Sequence, residues 1–410
     1  MSLGTSLLDK VMTRFVSKGA LTVHLPDGSS TTYGPGGDGP IAAIRLLDPK
    51  LPLELVKKPE LIAGEAYMDG RLEMVDCTIY DFLNLFAHNR DGLRKGPIRS
   101  KVKAWQKKIR RWHQRNPRAT SSENVKAHYD ISNELYRLFL DADMQYSCAY
   151  WPSLDISLEE AQLAKKRHIA AKLALKPGQR VLDIGCGWGG MSLFLAKEYG
   201  VNVVGVTLST QQHELGVQRA KEAGLEGKVD IRLQDYRDVD GPFDRIVSVG
   251  MFEHVGIGHF AEYFNGIREL LTDDGVALVH SIGRKGGPST TGAWIRKYIF
   301  PGGYSPALSE TYAEIEKAGL WVTDCEILRL HYGYTLAEWT KRCEANRDEI
   351  IEMMGDEFYR MWEFYLAISE LSFVHGKHMN FQIQLTKDVN ALPITRDYIC
   401  LLYTSDAADE

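Results

Sequence analysis

The sequence has no apolar run that approaches the length of a membrane-spanning helix. A helix needs about 20 consecutive apolar residues to cross a bilayer, and no stretch of the 410 residues comes near that length. The N-terminus lacks the apolar core of a signal peptide. The six cysteines form no C-x-x-C pair and no framework spacing, which favours reduced thiols in a cytosolic protein. These absences argue against a membrane-spanning protein and against a disulfide-stabilised secreted one.

Charge is nearly balanced over the whole chain but not along it. The net charge is -5, and the composition of 44% apolar and 25% charged residues is that of a soluble globular protein. The length predicts two or three domains. One segment, Arg90–Arg118, holds twelve Lys or Arg and a single acid, Asp91, for a net charge of +11. This basic belt predicts a polyanionic partner.

Apolar residues recur at helical spacing within the basic belt: Val102, Trp105, Ile109 and Trp112. Lys and Arg can extend their charges into water while tryptophan lies at a headgroup boundary, so we expect contact with an anionic membrane surface. The alternative is a solvated helix whose apolar stripe packs on its own protein. Nucleic acid is not expected as a partner, because no nucleic-acid motif accompanies the charge.

The most informative stretch is Val181–Gly190, which reads Val-Leu-Asp-Ile-Gly-Cys-Gly-Trp-Gly-Gly. An apolar strand, a glycine turn and a helix from Met191 form the usual cradle for a nucleotide-like cofactor. The spacing G-x-G-x-G-G is not the dinucleotide spacing G-x-G-x-x-G. With Asp183 before the turn, it resembles the first motif of class I methyltransferases, which bind S-adenosylmethionine. The alternative is a glycine turn needed only for tight packing.

Strands and helices are predicted to alternate from Lys165 onward, which indicates a parallel sheet with helices on both faces. The predicted strands are 180–184, 202–207, 229–233, 244–249 and 275–281, and the predicted helices lie near 158–173, 188–199, 210–223 and 259–271. Open α/β sheets bind ligands at the carboxyl ends of their strands. Five candidate residues lie at or just beyond predicted strand ends: Gly185, Thr207, Asp235, Glu253 and His280.

Several candidate residues allow more than one interpretation of their role. Ser209 and Gln212 match a helix capping box, so a structural role is open beside a cofactor role. Glu253 follows a strand, where a carboxylate suits general-base work. Cys148, Glu253 and His280 have the residue types of a zinc site, but no two of them have local ligand spacing, and we predict no metal.

Nine segments carry a resemblance to a known family: Glu123–Asn133, Met144–Trp151, Val181–Gly190, Val206–Gln212, Leu233–Arg237, Met251–Val255, His280–Gly283, Tyr298–Gly303 and Leu392–Arg396. Through them nearly the whole chain resembles the bacterial cyclopropane fatty acid synthases. The related mycolic-acid methyltransferases share most of the core but lack a comparable N-terminal unit. The resemblance implies an α/β fold, with a class I S-adenosylmethionine-dependent methyltransferase (Rossmann-like) domain and a smaller N-terminal α+β domain.

The resemblance also implies a division of the chain. Residues 1–90 would form a lipid-binding and dimerisation domain, 91–120 a basic linker, and 121–400 the catalytic domain. The last ten residues, 401–410, differ from the family's ending, and we expect them to be disordered. The protein would be a homodimer bound peripherally to the inner face of the cytoplasmic membrane.

The reaction implied by the resemblance adds a methyl carbon to a lipid. The methyl of S-adenosylmethionine passes to a cis double bond in a phospholipid acyl chain, the resulting carbocation loses a proton, and the ring closes. A bound bicarbonate would accept the proton, held by the side chains of Cys148, Glu253, His280 and Tyr332 and the backbone of Ile282. Tyr334 is an alternative to Tyr332. The expected cofactor-binding residues are Tyr129, Tyr146, Ser147, Asp183, Gly185, Gly187, Thr207, Leu208, Gln212, Asp235 and Tyr236.

Two other functions stay open at this point. One is an S-adenosylmethionine-dependent methyltransferase that gives methyl-branched or methylene-branched lipids, or that methylates a small amine. The other is a non-catalytic lipid-binding protein that kept the fold. The combination of Cys148, Glu253, His280 and Tyr332 favours cyclopropane formation, because amine methylation would need no anion held there.

Overall fold

The computed structural model describes residues 2–90 and 132–399. It divides into two compact units, and the first joins the described N-terminal residues to Thr290–Phe300 and Leu336–Lys377. The second contains the remaining described residues. The basic belt beyond Arg90, the predicted cofactor residue Tyr129 and the tail 401–410 lie outside the described residues. The domain boundaries inferred from the sequence stay a prediction.

The first unit contains a four-stranded sheet in the order β2-β1-β3-β4. Its strands are β1 Gly19–His24, β2 Ser30–Gly36, β3 Ile41–Leu46 and β4 Leu72–Met74, and its helices include Leu3–Phe15, Leu51–Lys57, Pro59–Met68, Ile79–Asn89, Ala293–Tyr298, Arg347–Met354 and Asp356–Val374. β1 and β2 form an antiparallel hairpin, and β3 runs parallel to β1. The helix Ile79–Asn89 begins at a capping box in which Thr78 and Asp81 bond reciprocally. The helix His331–Ala345 carries residues of both units.

Aromatic side chains of the helix Asp356–Val374 pack inside the first unit. The Phe364 ring centroid lies 4.6 Å from that of Trp294, and the Tyr67 hydroxyl donates to Glu363 at 2.5 Å. A Cβ at Gly64 would stand 2.3 Å from Trp294 Nε1, so only glycine lets the indole approach this closely. These aromatic contacts are core packing.

The second unit is built on a seven-stranded sheet in the order β10-β11-β9-β8-β5-β6-β7. Its strands are β5 Arg180–Ile184, β6 Asn202–Thr207, β7 Val229–Leu233, β8 Phe243–Val249, β9 Leu271–Arg284, β10 Trp321–Ile327 and β11 His378–Thr386, and its helices include Asn133–Phe139, Leu158–Leu173, Gly190–Tyr199, Thr210–Glu222, Phe252–Val255, Phe260–Leu270 and Leu308–Lys317. The five strands β5 to β9 are parallel, as predicted. β11 runs antiparallel to both β9 and β10, so the whole sheet is mixed. The sequence analysis missed β11.

Helices cover both faces of this sheet, which confirms the predicted α/β class. In β8, Ile246 packs on one face with Phe264 and Ile267, whereas Val247 packs on the other with Leu195. All of these side chains are fully or almost fully buried. Burying one such apolar side chain stabilises a fold by about 1.5–3 kcal/mol. No helix within the described ranges is long and apolar enough to span a bilayer.

The prediction that the last parallel strand ends at Ser281 was wrong. β9 continues to Arg284, because β11 pairs with it along the whole length from Val276 to Arg284. His280 therefore lies inside β9 rather than at its end. It stands level with Val249, the last residue of β8, so it still lies at the edge where the parallel strands finish.

Candidate active site

The loop after β5 has the backbone geometry that its glycines predicted. Gly185, Gly187 and Gly189 all have positive φ, at +78°, +56° and +79°. A Cβ at Gly185 would lie 2.9 Å from Met251 Cβ, so the turn there requires glycine. At Gly187 an added Cβ would meet no atom within 4 Å. The loop is therefore tightly packed at its first glycine and open at its second.

A cavity of about 160 Å³ lies against this open side of the loop. Ten of the eleven predicted cofactor residues line it: Tyr146, Ser147, Asp183, Gly185, Gly187, Thr207, Leu208, Gln212, Asp235 and Tyr236. The eleventh, Tyr129, lies outside the described residues. The sequence analysis missed several other lining residues, among them Met144, Trp188, Met191, Arg237, Met251 and His254. The open glycine, the apolar rings and thioethers, and the polar groups at the end of β6 and just after β7 fit a nucleoside with a methionine-like arm.

The structure forms half of the predicted capping box and places Gln212 in the cavity wall. The Ser209 hydroxyl accepts from the Gln212 backbone N–H at 3.3 Å and so caps the helix Thr210–Glu222. The Gln212 side chain accepts at Oε1 from the Thr207 hydroxyl at 2.8 Å, and both of these residues line the cavity. Ser209 is thus a structural cap, while Gln212 contributes its amide to the cavity wall.

The two aspartates of the cavity wall are held by protein partners. Asp183 accepts from the Ser192 hydroxyl at 2.7 Å, which ties β5 to the helix after the glycine loop. Burial raises the pKa of Asp183 to about 6, against the lowering effect of that hydrogen bond. Asp235 accepts from Arg237 Nε at 2.9 Å and Nη2 at 2.5 Å. This bidentate pair fixes the segment that carries Tyr236.

Lys165 supports the cavity wall from behind, and the sequence analysis did not identify it. Its ammonium is fully buried and donates to Gln145 Oε1 at 2.6 Å and to Ser147 Oγ at 2.9 Å. Burial lowers the pKa of Lys165 to about 8. Both acceptors line the cavity, so Lys165 orders the segment between Gln145 and Ser147. A lysine in an otherwise ordinary helix gives no sequence signal for this position.

Glu253 directly precedes His254, a residue of the cavity wall. It lies in the short helix Phe252–Val255 that follows β8, and its Oε1 accepts from the Ile282 backbone N–H at 2.6 Å. Its buried Oε2 has no hydrogen-bond partner among the described residues. Burial raises the pKa of Glu253 to about 7, although the bond from Ile282 and the nearby Ser281 hydroxyl act in the opposite direction. Such a carboxyl group can hold or release a proton near neutral pH.

Three of the other predicted catalytic residues, Cys148, His280 and Tyr332, are buried, whereas Ile282 is half-buried. His280 contacts two amides of β11, at 2.9 Å from Asn380 and 3.1 Å from Gln382, and burial lowers its pKa to about 3. The Cys148 thiol donates to the Ala149 carbonyl at 3.3 Å, and burial raises its pKa. Tyr332 is buried as well.

The structure joins only part of the predicted catalytic set directly. Glu253 is bonded to Ile282, and His280 lies two residues before Ile282 on β9. The approach of Cys148 and Tyr332 to Glu253 stays a prediction, as does the choice between Tyr332 and the less buried Tyr334. The described lining of the cavity includes none of the five predicted catalytic residues. Among residues 2–90 and 132–399, no three His, Cys, Asp or Glu side chains are grouped to hold a metal ion.

Comparison with known proteins identifies the family. Residues 116–383 match the family described as mycolic acid cyclopropane synthetase. The chain belongs to this family. Residues 7–95 match a domain of unknown function. The chain is 38% identical to a probable fatty acid methyltransferase of Pseudomonas putida over 92% of its own length and 96% of that protein. It is also 38% identical to the cyclopropane-fatty-acyl-phospholipid synthase of Escherichia coli K12, over 87% and 91% of the two chains.

The solved structure of a relative supports S-adenosylmethionine as the cofactor. The structure of mycolic acid cyclopropane synthase CmaA1 complexed with SAH and CTAB superposes with a TM-score of 0.61 and 34% identity. The match covers 64% of this chain and 97% of that one. The protein is therefore an S-adenosylmethionine-dependent methyltransferase of the cyclopropane-forming family, as the sequence resemblance implied.

Proposed function

We propose that this protein is a cyclopropane-fatty-acyl-phospholipid synthase acting on cis double bonds of membrane phospholipids. The observation that carries the proposal is the buried Oε2 of Glu253, which has no hydrogen-bond partner among the described residues. The neighbours of Glu253 in the chain, Met251, His254 and Val255, line the cavity proposed for the cofactor. Transfer of a methyl group to an amine would not need a buried acid-base group at this place. Loss of a proton from a newly added methyl group does need one.

The cavity wall suits an apolar reaction. When bound, S-adenosylmethionine supplies an electrophilic methyl group. An alkene is a weak nucleophile, so the protein must hold the two reactants close and keep out water that would trap the carbocation. Met144, Met251 and Val255 line the cavity with apolar side chains. They exclude water from the reacting carbon atoms.

Glu253 is the proposed site at which the released proton is held. The Ile282 N–H fixes one oxygen, so the other keeps a constant position. Because burial raises the pKa of Glu253 to about 7, its carboxylate is a stronger base than an exposed glutamate. The group can therefore receive a proton in the reaction and return it to solvent afterwards.

One atom of the structure, Glu253 Oε2, is suited to bind bicarbonate. The bicarbonate hydroxyl can donate to this unpartnered oxygen, and the anion would supply a small base between the carboxyl group and the acyl chain. We propose that Cys148, His280 and Tyr332 hold it together with Glu253. The Ile282 N–H, which the sequence resemblance gave to the same anion, already donates to Glu253 and would be shared.

A methyltransferase that forms branched lipids is the second candidate. The name of the Pseudomonas putida relative, a probable fatty acid methyltransferase, favours it. The two reactions share the cofactor cavity and the carbocation. They differ in how the carbocation ends. Loss of a proton from the new methyl group with ring closure gives a cyclopropane, whereas loss of a proton without ring closure gives a branched chain that keeps a double bond.

Access to phospholipid is proposed to involve the basic belt. Its net charge of +11 in a chain of net charge -5 would attract anionic headgroups. We propose a peripheral position at the inner face of the cytoplasmic membrane and a homodimer, with residues 1–90 taking part in lipid binding and dimer formation.

The test is incubation of the protein with methyl-labelled S-adenosylmethionine and vesicles of unsaturated phospholipid. Mass spectrometry of the extracted lipids should show cyclopropane acyl chains carrying the label. Small amines, added in a parallel reaction, should stay unlabelled. Label that arrives in a branched chain without a ring would support the second candidate instead.

A further inference from the structure

A row of polar side chains crosses the sheet at His280. Glu326 of β10, Gln382 of β11 and His280 of β9 are direct register partners on three neighbouring strands. His280 and Gln382 are 1% exposed each, so their polar atoms must find protein partners. Lys172, from the helix Leu158–Leu173, is equally buried and completes the row.

Lys172 determines which way the Gln382 amide faces. Its ammonium can only donate, and it donates to Glu326 Oε2 and to Gln382 Oε1, the latter at 2.7 Å. Burial acts to raise the pKa of Glu326, but the bond from His168 and the charge of Lys172 lower it to about 2, so Glu326 is an anion. With Oε1 committed to Lys172, the NH₂ of Gln382 must face His280.

The His280 ring is therefore protonated on one particular nitrogen. Gln382 Nε2 donates to Nδ1 at 3.1 Å, so Nδ1 accepts and carries no hydrogen. Burial is the main factor that disfavours a charged His280 ring, and the nearby Lys165, Lys172 and His168 disfavour it further. Glu326 is the acid that favours a charged ring. A neutral imidazole without a hydrogen on Nδ1 has it on Nε2.

Asn380 completes the assignment. It lies 2.9 Å from His280 Nε2, and a hydrogen on Nε2 requires the amide oxygen there rather than the NH₂. As placed, the buried Asn380 Oδ1 lacks a partner among the described residues. Amide oxygen and nitrogen are assigned by their hydrogen bonds, and rotating this amide by half a turn gives both Oδ1 and Nε2–H a partner.

We propose that Lys172 and Gln382 are positioning residues that fix His280 as the neutral Nε2–H tautomer. The inference rests on the proposed function for its chemical meaning. His280 then donates from Nε2 to Asn380, reaches the proposed anion only by sharing that hydrogen, and does not accept the proton released in the reaction. That proton goes to Glu253 or to an anion that Glu253 holds.

Two substitutions of β11 amides by carboxylates separate this role from a merely structural one. In Gln382→Glu one oxygen still accepts from Lys172, but the other faces Nδ1 and requires a hydrogen there, which inverts or charges the ring. In Asn380→Asp a carboxylate oxygen faces Nε2–H, so the tautomer is kept. If the only harm were the cost of burying a carboxylate, Asn380→Asp should lose more turnover than Gln382→Glu. Only position 382 has the positive Lys172 beside it to offset that cost.

The readouts are the tautomer and the turnover number. Nitrogen-15 spectra of the histidine rings, with the His280 signals assigned from a His280→Gln sample, should show Nε2–H in the unsubstituted protein and in Asn380→Asp. Gln382→Glu should show a hydrogen on Nδ1. Turnover of unsaturated phospholipid vesicles should fall at least about tenfold more in Gln382→Glu than in Asn380→Asp, with KM little changed.

Three results would overturn the inference: a hydrogen on Nδ1 in the unsubstituted protein, an unchanged tautomer in Gln382→Glu, or equal losses of turnover in the two variants. The first is measured without any substitution, so a variant that fails to fold cannot hide it. Absence of cyclopropane product from the unsubstituted protein would refute the proposed function instead. The spectra, recorded without lipid, decide the position of the His280 proton independently of that result.

Discussion

The backbone N–H of Ile282 donates a 2.6 Å hydrogen bond to Oε1 of Glu253. This bond joins the short helix after β8 to the neighbouring strand β9 at the edge where the parallel strands end. It holds one carboxyl oxygen and leaves the other buried without a partner among the described residues. The proposed chemistry depends on that second oxygen.

Replacement of Glu253 by glutamine should abolish cyclopropane formation while leaving cofactor binding nearly intact. The amide keeps the shape and can still accept from Ile282, but it cannot take up a proton, so turnover should fall by roughly 10²–10⁴-fold. Binding of S-adenosylhomocysteine, measured by calorimetry, should change little because the cavity lining does not include Glu253. Glu262→Gln, at a more exposed residue paired with His259, is the matched control and should keep full turnover.

The same variant should change the pH dependence of stability. The folded pKa of Glu253, about 7, lies above its unfolded value near 4.5, so its contribution is fully present below pH 4.5 and is lost as the pH rises through 7. Relative to Glu253→Gln, the unsubstituted protein should therefore gain about 2 kcal/mol of unfolding free energy between pH 8 and pH 5.5. Denaturant unfolding of both proteins at the two pH values measures this. A constant difference would mean that the carboxyl group is not held in a charge-excluding site.

Gly187→Ala should weaken binding of S-adenosylhomocysteine by roughly tenfold or more. The added methyl group would enter the cavity, where the structure shows no atom within 4 Å of it. Gly28→Ala is the control, because Gly28 also has a positive φ and open space around it but lies in the hairpin turn of the first unit. Both variants should lose about 1 kcal/mol of stability from backbone strain. Equal cofactor affinity in the two would argue against the cavity as the binding site.

Vesicle binding should weaken as salt rises if the basic belt meets anionic headgroups. Replacing Lys107, Lys108, Arg110 and Arg111 together with glutamine should weaken it further at low salt. Sedimentation with vesicles containing an anionic lipid measures the affinity, and vesicles of neutral lipid are the control. An unchanged affinity after the fourfold replacement would assign the belt to solubility or to packing within the protein.

Much of the second unit follows from its sequence because strongly periodic segments have few alternatives. The predicted strand 202–207 and the predicted helix 158–173 have the observed bounds. The glycine loop was also predictable, since positive φ at Gly185 and Gly187 is what such spacing requires. Ten residues of the cavity wall could be named from the sequence because they belong to these local motifs.

The parts that could not be predicted depend on long-range contacts. β11 was missed because its buried polar face, with Asn380 and Gln382, looks like the solvent-facing side of a strand. Their long-range partners, Lys172 of the helix Leu158–Leu173 and His280 of β9, explain why those amides are buried. Lys165 was missed for the same reason, because its acceptors lie 18 and 20 residues away in the chain.

The most direct test of the central claim uses S-adenosylmethionine with a fully deuterated methyl group and vesicles of a cis-unsaturated phospholipid. The account predicts product acyl chains that resist cleavage by ozone and retain two of the three deuterium atoms, because one leaves as the released proton before the ring closes. A methyl-branched chain that keeps all three deuterium atoms and a double bond, or a product whose new carbon is itself part of a double bond, would contradict it.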